Sequence, residues 1–275
     1  GAKSVLGGDL ILAVDLLAKC RDHVLKGIGL IGALDTYTSL ARWVIASQFT
    51  QEKPLCFASF KKGSEKPSLE LQDFWHVLSR GTPTLNSIKF GDGAPQNAVI
   101  TGVFESGKST VLQGVALNVV CAQSIGICLC RSYKATPFAI INIYANIKDD
   151  IAAGRSLFKT ELYRSAQLVE QIKQMAKGFF SFTIADAPFT GTEAGAGQAA
   201  AYSVARYLGQ LPNSIAIHAT NFLSLNILAK QDPERFANYM LPTNYNGKIV
   251  QSYALSPGTQ DPHLATAIFK EENLP

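Results

Sequence analysis

The sequence predicts an α/β fold, in which short buried strands alternate with helices around one sheet. Three apolar runs have the length of buried strands, and the segments between them carry apolar residues at helical spacing or are rich in alanine. The predicted strands are 97–101, 179–185 and 214–220. The predicted helices are 110–124, 151–177 and 193–209. Because a glycine-rich turn follows the first strand at its carboxyl end, we expect a sheet with helices on both faces.

The N-terminal stretch, residues 1–51, is predicted to be helical, with two successive apolar stripes. Glycines 27, 29 and 32 weaken the middle of this stretch and suggest a bend. No residue here suggests chemistry, so we expect a helical arm or connector.

The remaining elements follow from alternation, turn residues and helical spacing. Further strands are predicted at 55–60, 68–74, 85–90, 125–130 and 138–144, with a turn at 91–93. A helix is predicted at 221–230. The C-terminal part predicts an antiparallel pair, 238–242 with 248–255, joined near Asn246-Gly247, which is a typical hairpin dipeptide. A helix at 263–272 would close the chain.

The glycine-rich turn fits the phosphate-binding loop pattern: Gly102, four intervening residues, then Gly107-Lys108-Ser109. Glycines allow successive backbone N–H groups to point at one phosphate, and the following helix presents its positive end to the same anion. Lys108 would reach the β- and γ-phosphates, and the Ser109 hydroxyl would bind magnesium. The flanking strand and helix favour nucleotide binding over a chance match. The predicted ligand-contacting residues of the loop are Gly102, Ser106, Gly107, Lys108, Ser109 and Thr110.

A carboxylate suited to magnesium follows the predicted strand 179–185, which ends at Asp186. In sites of this type such a carboxylate holds magnesium beside the loop hydroxyl. We therefore predict ATP and Mg²⁺ as ligands, with Ser109 and Asp186 at the metal. The alternative interpretation is that Asp186 caps the next helix. The next residue is Ala187, where many such ATPases carry Glu, and a methyl group cannot accept a proton.

Composition is that of a globular protein: 275 residues, 47% hydrophobic and 17% charged, with a formal net charge of +4. These dispersed charges do not by themselves indicate a nucleic-acid-binding protein. The five cysteines match no zinc-binding spacing and are interpreted as buried free thiols in a reducing compartment. With no visible signal peptide and no long apolar span, we expect a cytoplasmic location and no membrane partner.

From about Leu34 to its end, the sequence resembles the ATPase domain of MutS-type mismatch-repair proteins, in particular the short MutS-related bacterial proteins. The loop matches the family pattern at its glycines, Lys108, Ser109 and Thr110. Residues 149–161 resemble the family signature, Asp-Asp-Ile followed by Gly-x-Ser-x-Phe-x-x-Glu. Shorter matches are Leu34-Asp35, Thr190-Gly-Thr192, Ala219-Thr220, Ser256-Pro-Gly258 and Asn273-Leu-Pro275.

The resemblance implies a P-loop NTPase sheet of the ABC-ATPase type with flanking helices, preceded by a fragment of a helical lever. The implied domains are a lever fragment at 1–52 and an ATPase domain at 53–275. It also implies a homodimer or a pair with a paralogous MutS-type subunit, in which Ser156 contacts the γ-phosphate of the partner's nucleotide. DNA would be bound through segments that are largely absent from this chain.

The sequence departs from the family pattern where the chemistry would occur. Phe104 replaces the loop Asn, Ala187 replaces the Glu, and Asn221 replaces the His that senses the γ-phosphate, so no catalytic residue can be assigned. One hypothesis is an active ATPase that couples nucleotide binding and dimerisation to DNA. A second is a non-hydrolysing nucleotide-binding module. A third is a structural fragment with a broken loop. The Leu-Ser-Gly-Gly-Gln signature of transporter ATPases is missing, which disfavours that class.

Overall fold

The computed structural model divides the chain into two compact units, residues 1–51 and 52–275. It describes residues 2–47, 50–79, 81–103, 106–145, 156–245 and 249–259. The first unit contains one helix, α1 (Ala2–Ser47), which confirms the helical prediction. The helix has no interruption at glycines 27, 29 and 32, because each glycine in a helix costs only about 1 kcal/mol relative to alanine.

The second unit contains the predicted alternation of strands and helices. Its strands are β1 (Cys56–Phe57), β2 (Ser59–Phe60), β3 (Leu69–Phe74), β4 (Asn86–Phe90), β5 (Asn97–Thr101), β6 (Ile127–Cys128), β7 (Ser132–Ala135), β8 (Ile140–Tyr144), β9 (Ser181–Asp186), β10 (Ser214–Thr220), β11 (Phe236–Met240), β12 (Thr243–Tyr245), β13 (Ile249–Gln251) and β14 (Ser256–Pro257). Its helices are α2 (Lys108–Ser124), α3 (Leu157–Lys173), α4 (Ala194–Gly209) and α5 (Ile227–Gln231). A 3₁₀ turn (Leu223–Asn226) precedes α5 where one helix was predicted.

The main sheet has six strands in the order β14-β11-β5-β10-β9-β8. Its five strands β11, β5, β10, β9 and β8 are parallel, and β14 is antiparallel to β11. In the register of the sheet, Ala219 lies beside both Ile100 and Asp186. The carboxyl ends of β5, β10 and β9 therefore meet at one edge of the sheet.

Helices cover both faces of the main sheet, which confirms the predicted α/β arrangement. Side chains that alternate along β5 enter different cores: Ala98 and Ile100 pack with α2, whereas Val99 packs with α4. Because both faces are covered, every residue of β5 and β10 is buried. Within the part of the chain that is described, no helix combines the length and the apolar content needed to cross a membrane.

A second sheet, of four strands in the order β2-β7-β3-β4, was not predicted. The predicted strand 55–60 is divided into β1 and β2, and the predicted strand 125–130 is reduced to β6. β7 was missed altogether. Leu71 and Phe74 of the second sheet share a core with Val115, so α2 is packed between the two sheets.

The predicted C-terminal strand pair is wrong in its partners. β11 lies parallel to β5 along its whole length, and the antiparallel pair is formed by β12 and β13. Alternation identifies a strand but not its neighbour, so the sequence could not show that β11 pairs with β5. Positions 246–248, the predicted helix 263–272 and residues 149–155 of the signature lie outside the described residues.

Candidate nucleotide-binding site

The candidate site begins where β5 ends. Gly102 follows the buried strand, and α2 begins at Lys108, so the loop leads directly into the helix N-terminus as the sequence predicted. Phe104 and Glu105 lie outside the described residues. A strand, a short loop and a helix N-terminus in this order can hold an anion on backbone N–H groups.

The two glycines of the loop differ in how strictly the backbone requires them. Gly107 has φ 95°, in the left-handed region that side chains rarely adopt. A Cβ atom at Gly107 would lie 3.0 Å from a ring carbon of Tyr253. A Cβ atom at Gly102 would lie 2.5 Å from the Ser106 hydroxyl oxygen. The loop conformation therefore depends on glycine at 107, whereas a side chain at 102 would require the Ser106 hydroxyl to move.

Lys108 lies across the loop and is 9% exposed. Its ammonium group donates hydrogen bonds to the carbonyl oxygens of Gly102 and Val103, at 2.7 and 2.8 Å. Burial lowers the pKa of Lys108, and the charge of Asp186 opposes that shift. The structure thus brings together the predicted cation, the loop backbone and the predicted metal-binding carboxylate.

The oxygen groups predicted to hold magnesium lie on neighbouring elements. Ser109 is exposed in the first turn of α2, and Asp186 is the half-buried last residue of β9. One strand, β10, separates β9 from β5. A hydroxyl and a carboxylate are hard oxygen donors of the kind that Mg²⁺ prefers, with water and phosphate completing its coordination. These residues fit that ion.

The loop contains a further polar group that faces inward. The Ser106 hydroxyl is 1% exposed, and no partner for it is found among the described residues. Thr110 is exposed one turn into α2, beside the same loop. Both hydroxyls were predicted to contact ligand and lie next to the loop backbone.

The two altered positions at the ends of β9 and β10 lie beside this loop. Ala187 has φ 47°, and its N–H donates to the Ala219 carbonyl at 2.9 Å. Asn221 follows β10 directly, and its amide oxygen is buried with no partner in the described ranges. Neither residue offers a group that readily accepts a proton at neutral pH.

A buried carboxylate connects α3 to the segment after Asp186. Glu161 is 5% exposed and accepts hydrogen bonds from the Phe189 N–H at 3.0 and 3.1 Å, one to each oxygen. Burial raises the pKa of Glu161, and the hydrogen bond from Phe189 opposes that shift. Phe189 has φ 62°. The sequence matched Glu161 only as part of a signature and did not predict that it holds this turn.

Ser156 lies at the start of the same helix. It is exposed, and its side chain does not cap α3. Its hydroxyl therefore faces outward, and Glu161 ties the first turns of α3 to the segment that follows Asp186. Whether Ser156 contacts a nucleotide in a partner stays a prediction.

A cavity of about 420 Å³ lies beside the loop. Its lining includes Gly107 and Thr110 of the loop together with Trp75, His76 and Tyr253. Burial lowers the pKa of His76, which favours its neutral form. Neither Trp75 nor His76 belongs to a motif that predicts nucleotide contact, and the sequence does not indicate which residue stacks on the base. Their proximity to the loop could not be inferred, because about thirty residues separate them along the chain.

His218 is a structural residue of the buried strand β10. It is 1% exposed within β10, and burial lowers its pKa to about 4. Neither ring nitrogen has a partner in the described part of the chain. His263 lies beyond the described residues.

The region that contains the candidate site matches a family of known proteins. Residues 98–275 match the family described as MutS domain V. The DNA mismatch repair protein MutS of Roseiflexus sp. (strain RS-1) is 29% identical over 90% of this chain and 22% of its own length. MutS of Thermosynechococcus vestitus is 29% identical over 84% of the chain and 25% of its own length.

MutS of Parabacteroides distasonis is 26% identical over 98% of the chain and 30% of its own length. The chain thus spans between 22% and 30% of the length of these three relatives. The family match includes β5, the loop, Asp186 and the altered positions, and it extends over more than half of the chain. The chain therefore belongs to the MutS family and contains its domain V.

Proposed function

We propose that the loop 102–110 binds the triphosphate of Mg²⁺-ATP, and that the chain is the nucleotide-binding part of a MutS-type DNA mismatch repair protein. One observation carries the proposal: the ammonium group of Lys108 is held over the Gly102 and Val103 carbonyls and is electrostatically coupled to Asp186. A phosphate group would offer Lys108 anionic oxygens in place of two neutral carbonyls, which makes stronger hydrogen bonds.

The cavity beside the loop supports a nucleotide rather than inorganic phosphate. Its volume is within the usual range for small-molecule sites, and aromatic rings contribute to its wall. A base could stack on an aromatic ring there while its phosphates lie on the loop. Mg²⁺ would be held by Ser109 and Asp186 and would neutralise phosphate charge.

Nucleotide binding without fast hydrolysis is the form of this function that the site favours. The proposed phosphate contacts use the backbone, Lys108 and hydroxyl groups, all of which are present. A proton acceptor is lacking at Ala187, and Asn221 is a neutral amide. In this form, bound ATP would hold a dimer in a DNA-clamping state without turnover.

An active ATPase that couples nucleotide binding and dimerisation to DNA is the second candidate. It is favoured by the number of family motifs retained around the loop. The partner would be a second copy or a paralogous MutS-type subunit, with Ser156 reaching its nucleotide. DNA contacts would come largely from segments outside this chain.

Paired binding and turnover measurements test the proposal. We expect calorimetric titration to show Mg²⁺-dependent ATP binding, while phosphate release over the same concentrations stays far below ordinary ATPase rates. Rapid release would favour the active ATPase instead. If ATP does not bind with or without Mg²⁺, the proposed function is wrong and the loop is only structural.

A further inference from the structure

Three cysteines from distant parts of the chain lie close together near α2. Cys56 lies in β1, Cys128 ends β6, and Cys130 follows two residues later. Cys56 and Cys128 are directly opposite each other in the antiparallel pairing of β1 with β6. The three sulfur atoms all lie within 4.8 Å of one another, and those of Cys56 and Cys130 are 3.5 Å apart.

This convergence differs from the expectation of five unrelated buried thiols. All five cysteines are free, but Cys20 is exposed, Cys56 and Cys121 are half-buried, and only Cys128 and Cys130 are fully buried. The metal-binding spacing was invisible in the sequence because Cys56 lies more than seventy residues before the others. Strand pairing, not local spacing, brings the thiols together.

The sulfur positions fit a metal–thiolate triangle. A cation about 2.3 Å from each of three sulfurs would separate them by about 3.8 to 4.0 Å. The sulfurs of Cys56 and Cys130, 3.5 Å apart, are slightly closer than that value, and the other two separations are at most 4.8 Å. A disulfide between Cys56 and Cys130 would instead require their sulfurs to approach to about 2.05 Å. It would also leave unexplained why the Cys128 thiol lies beside the other two.

The surroundings of the cluster restrict which ion could bind. Cys128 and Cys130 are part of an apolar core against which Cys56 packs. Among the described residues, no His, Asp or Glu joins the three thiols as a further ligand. Sulfur-only sites select soft, thiophilic ions, and hard oxygen-preferring ions such as Mg²⁺ are disfavoured.

Two features of Tyr133 add support around the sulfurs. Its side chain lies in the same buried core as Cys128 and Cys130. Its phenol group is 1% exposed, and no hydrogen-bond partner for it is found in the described ranges. The Tyr133 phenol is thus a polar group in the same apolar core that is available to interact with a bound ligand.

We propose that Cys56, Cys128 and Cys130 bind one thiophilic d¹⁰ cation, Cu⁺ or Zn²⁺, at a site separate from the nucleotide loop. Binding replaces the thiol protons: three S–H groups and one cation give three metal–sulfur bonds and release three protons. The bound ion joins β1 to the β6–β7 segment. It therefore stabilises the start of the second unit and takes no part in phosphate chemistry.

Metal titration of the full chain tests the proposal. Protein stripped with a chelator is titrated without oxygen, in one arm with Cu⁺ against a chromophoric Cu⁺ chelator and in the other with Zn²⁺. We expect one equivalent of one of these ions to bind, and the melting temperature to rise by several degrees. Cys56→Ser, Cys128→Ser and Cys130→Ser should each weaken binding by about 100-fold.

Matched controls separate loss of the site from loss of the fold. Cys121→Ser and Cys20→Ser remove thiols outside the cluster and should leave the affinity unchanged. Circular dichroism of each metal-free variant verifies that it folds. Because Cys56 is half-exposed, Cys56→Ser should disrupt the core less than the other two substitutions. ATP binding is measured in parallel, so that failure of this site and of the nucleotide site can be told apart.

Three outcomes would overturn the proposal. The first is no stoichiometric uptake of either ion by the wild-type chain. The second is uptake that persists in Cys130→Ser or is lost equally in Cys121→Ser. The third is a disulfide between Cys56 and Cys130, seen as a loss of two mass units after treatment with a hydroperoxide, in protein that takes up neither ion. That last result would make the pair a redox couple.

Discussion

The carboxyl end of β5 and the carboxyl ends of β9 and β10 differ in which residues of the family pattern are present. At β5, the loop retains both glycines and Lys108, with the backbone and charge arrangement that a phosphate requires. At the other two ends, Asp186 is present but is followed by Ala187, and β10 is followed by Asn221. On the proposed function, this difference predicts that ATP binding and ATP hydrolysis are separable.

The physical reason lies in which atoms each task uses. Phosphate binding relies on N–H groups that every residue except proline carries, so it tolerates side-chain replacement in the loop. General acid–base catalysis relies on one positioned side chain and contributes roughly 10² to 10⁴ in rate. Three predictions test this division, in order of decreasing expected effect, and two further predictions concern the turn that follows Asp186.

Lys108→Ala should have the largest effect and remove ATP binding. The variant loses a buried cation that would make charge-assisted hydrogen bonds to phosphate, each worth about 1.5 to 3 kcal/mol. We expect at least a ~100-fold rise in Kd by calorimetry. Lys134→Ala removes an exposed lysine of β7 and is the matched control. Unchanged affinity in Lys108→Ala would place the nucleotide elsewhere.

Ala187→Glu should raise hydrolysis by about 100-fold, because it supplies a proton acceptor beside the proposed triphosphate. Phosphate release is the measurement. Ala187→Gln is the matched control, since it imposes similar strain at φ 47° without adding a base. Absence of any gain would mean that Asn221 or Phe104 also prevents the reaction, and the double variant Ala187→Glu with Asn221→His tests this.

Asp186→Asn should reduce the contribution of magnesium to ATP affinity by about 10-fold, because a neutral amide is a weaker ligand for a hard cation than a carboxylate. Titrations of ATP in Mg²⁺ and in EDTA separate the magnesium-dependent part of the affinity from the magnesium-independent part. Affinity in EDTA should stay near the wild-type value. If the Mg²⁺-dependent term is unaffected, Asp186 is not a magnesium ligand; the helix-cap alternative is already wrong, because Glu193 caps α4 by accepting from the Gly195 and Ala196 N–H groups.

Glu161→Ala should destabilise the fold by about 2 kcal/mol, because it leaves the Phe189 N–H without its acceptor in a buried position. Urea unfolding at neutral pH is the measurement. Glu161→Gln keeps one acceptor oxygen and should lose less. Equal losses in both variants would show that the negative charge, rather than the hydrogen bond, holds this turn.

The same residue predicts a dependence on pH. Burial raises the pKa of Glu161 above its ordinary value of 4.5, so the native protein retains this proton more strongly than the unfolded chain. Its contribution to stability therefore falls as the pH rises from 4.5 through the raised pKa. Glu161→Gln should remove that part of the pH dependence. If the stability of the variant depends on pH with the same slope as that of the wild type, other titratable groups cause this dependence.

The arrangement of the candidate nucleotide site could largely be predicted because its signals are local. The strand, the glycine spacing and the helix lie within one short segment, and Asp186 ends an apolar run of its own. The second sheet was missed because β2 and β7 are short, and their stability comes from pairing across the chain rather than from their own pattern.

The same physical reason explains the other omissions. The partner of β11, the position of Trp75 and His76 beside the loop, and the convergence of Cys56 with Cys128 all depend on long-range pairing. Periodicity describes which face of a strand is buried, and it carries no information about which strand lies next to it.

A crystal structure with Mg²⁺ and a non-hydrolysable ATP analogue tests the central claim most directly. We predict that the analogue's β- and γ-phosphates lie within loop 102–110, and that the Lys108 ammonium group leaves the Gly102 and Val103 carbonyls to contact them. Asp186 should lie on the magnesium side of the nucleotide. A saturated crystal in which Lys108 still binds both carbonyls, with the analogue bound elsewhere or absent, would contradict the account.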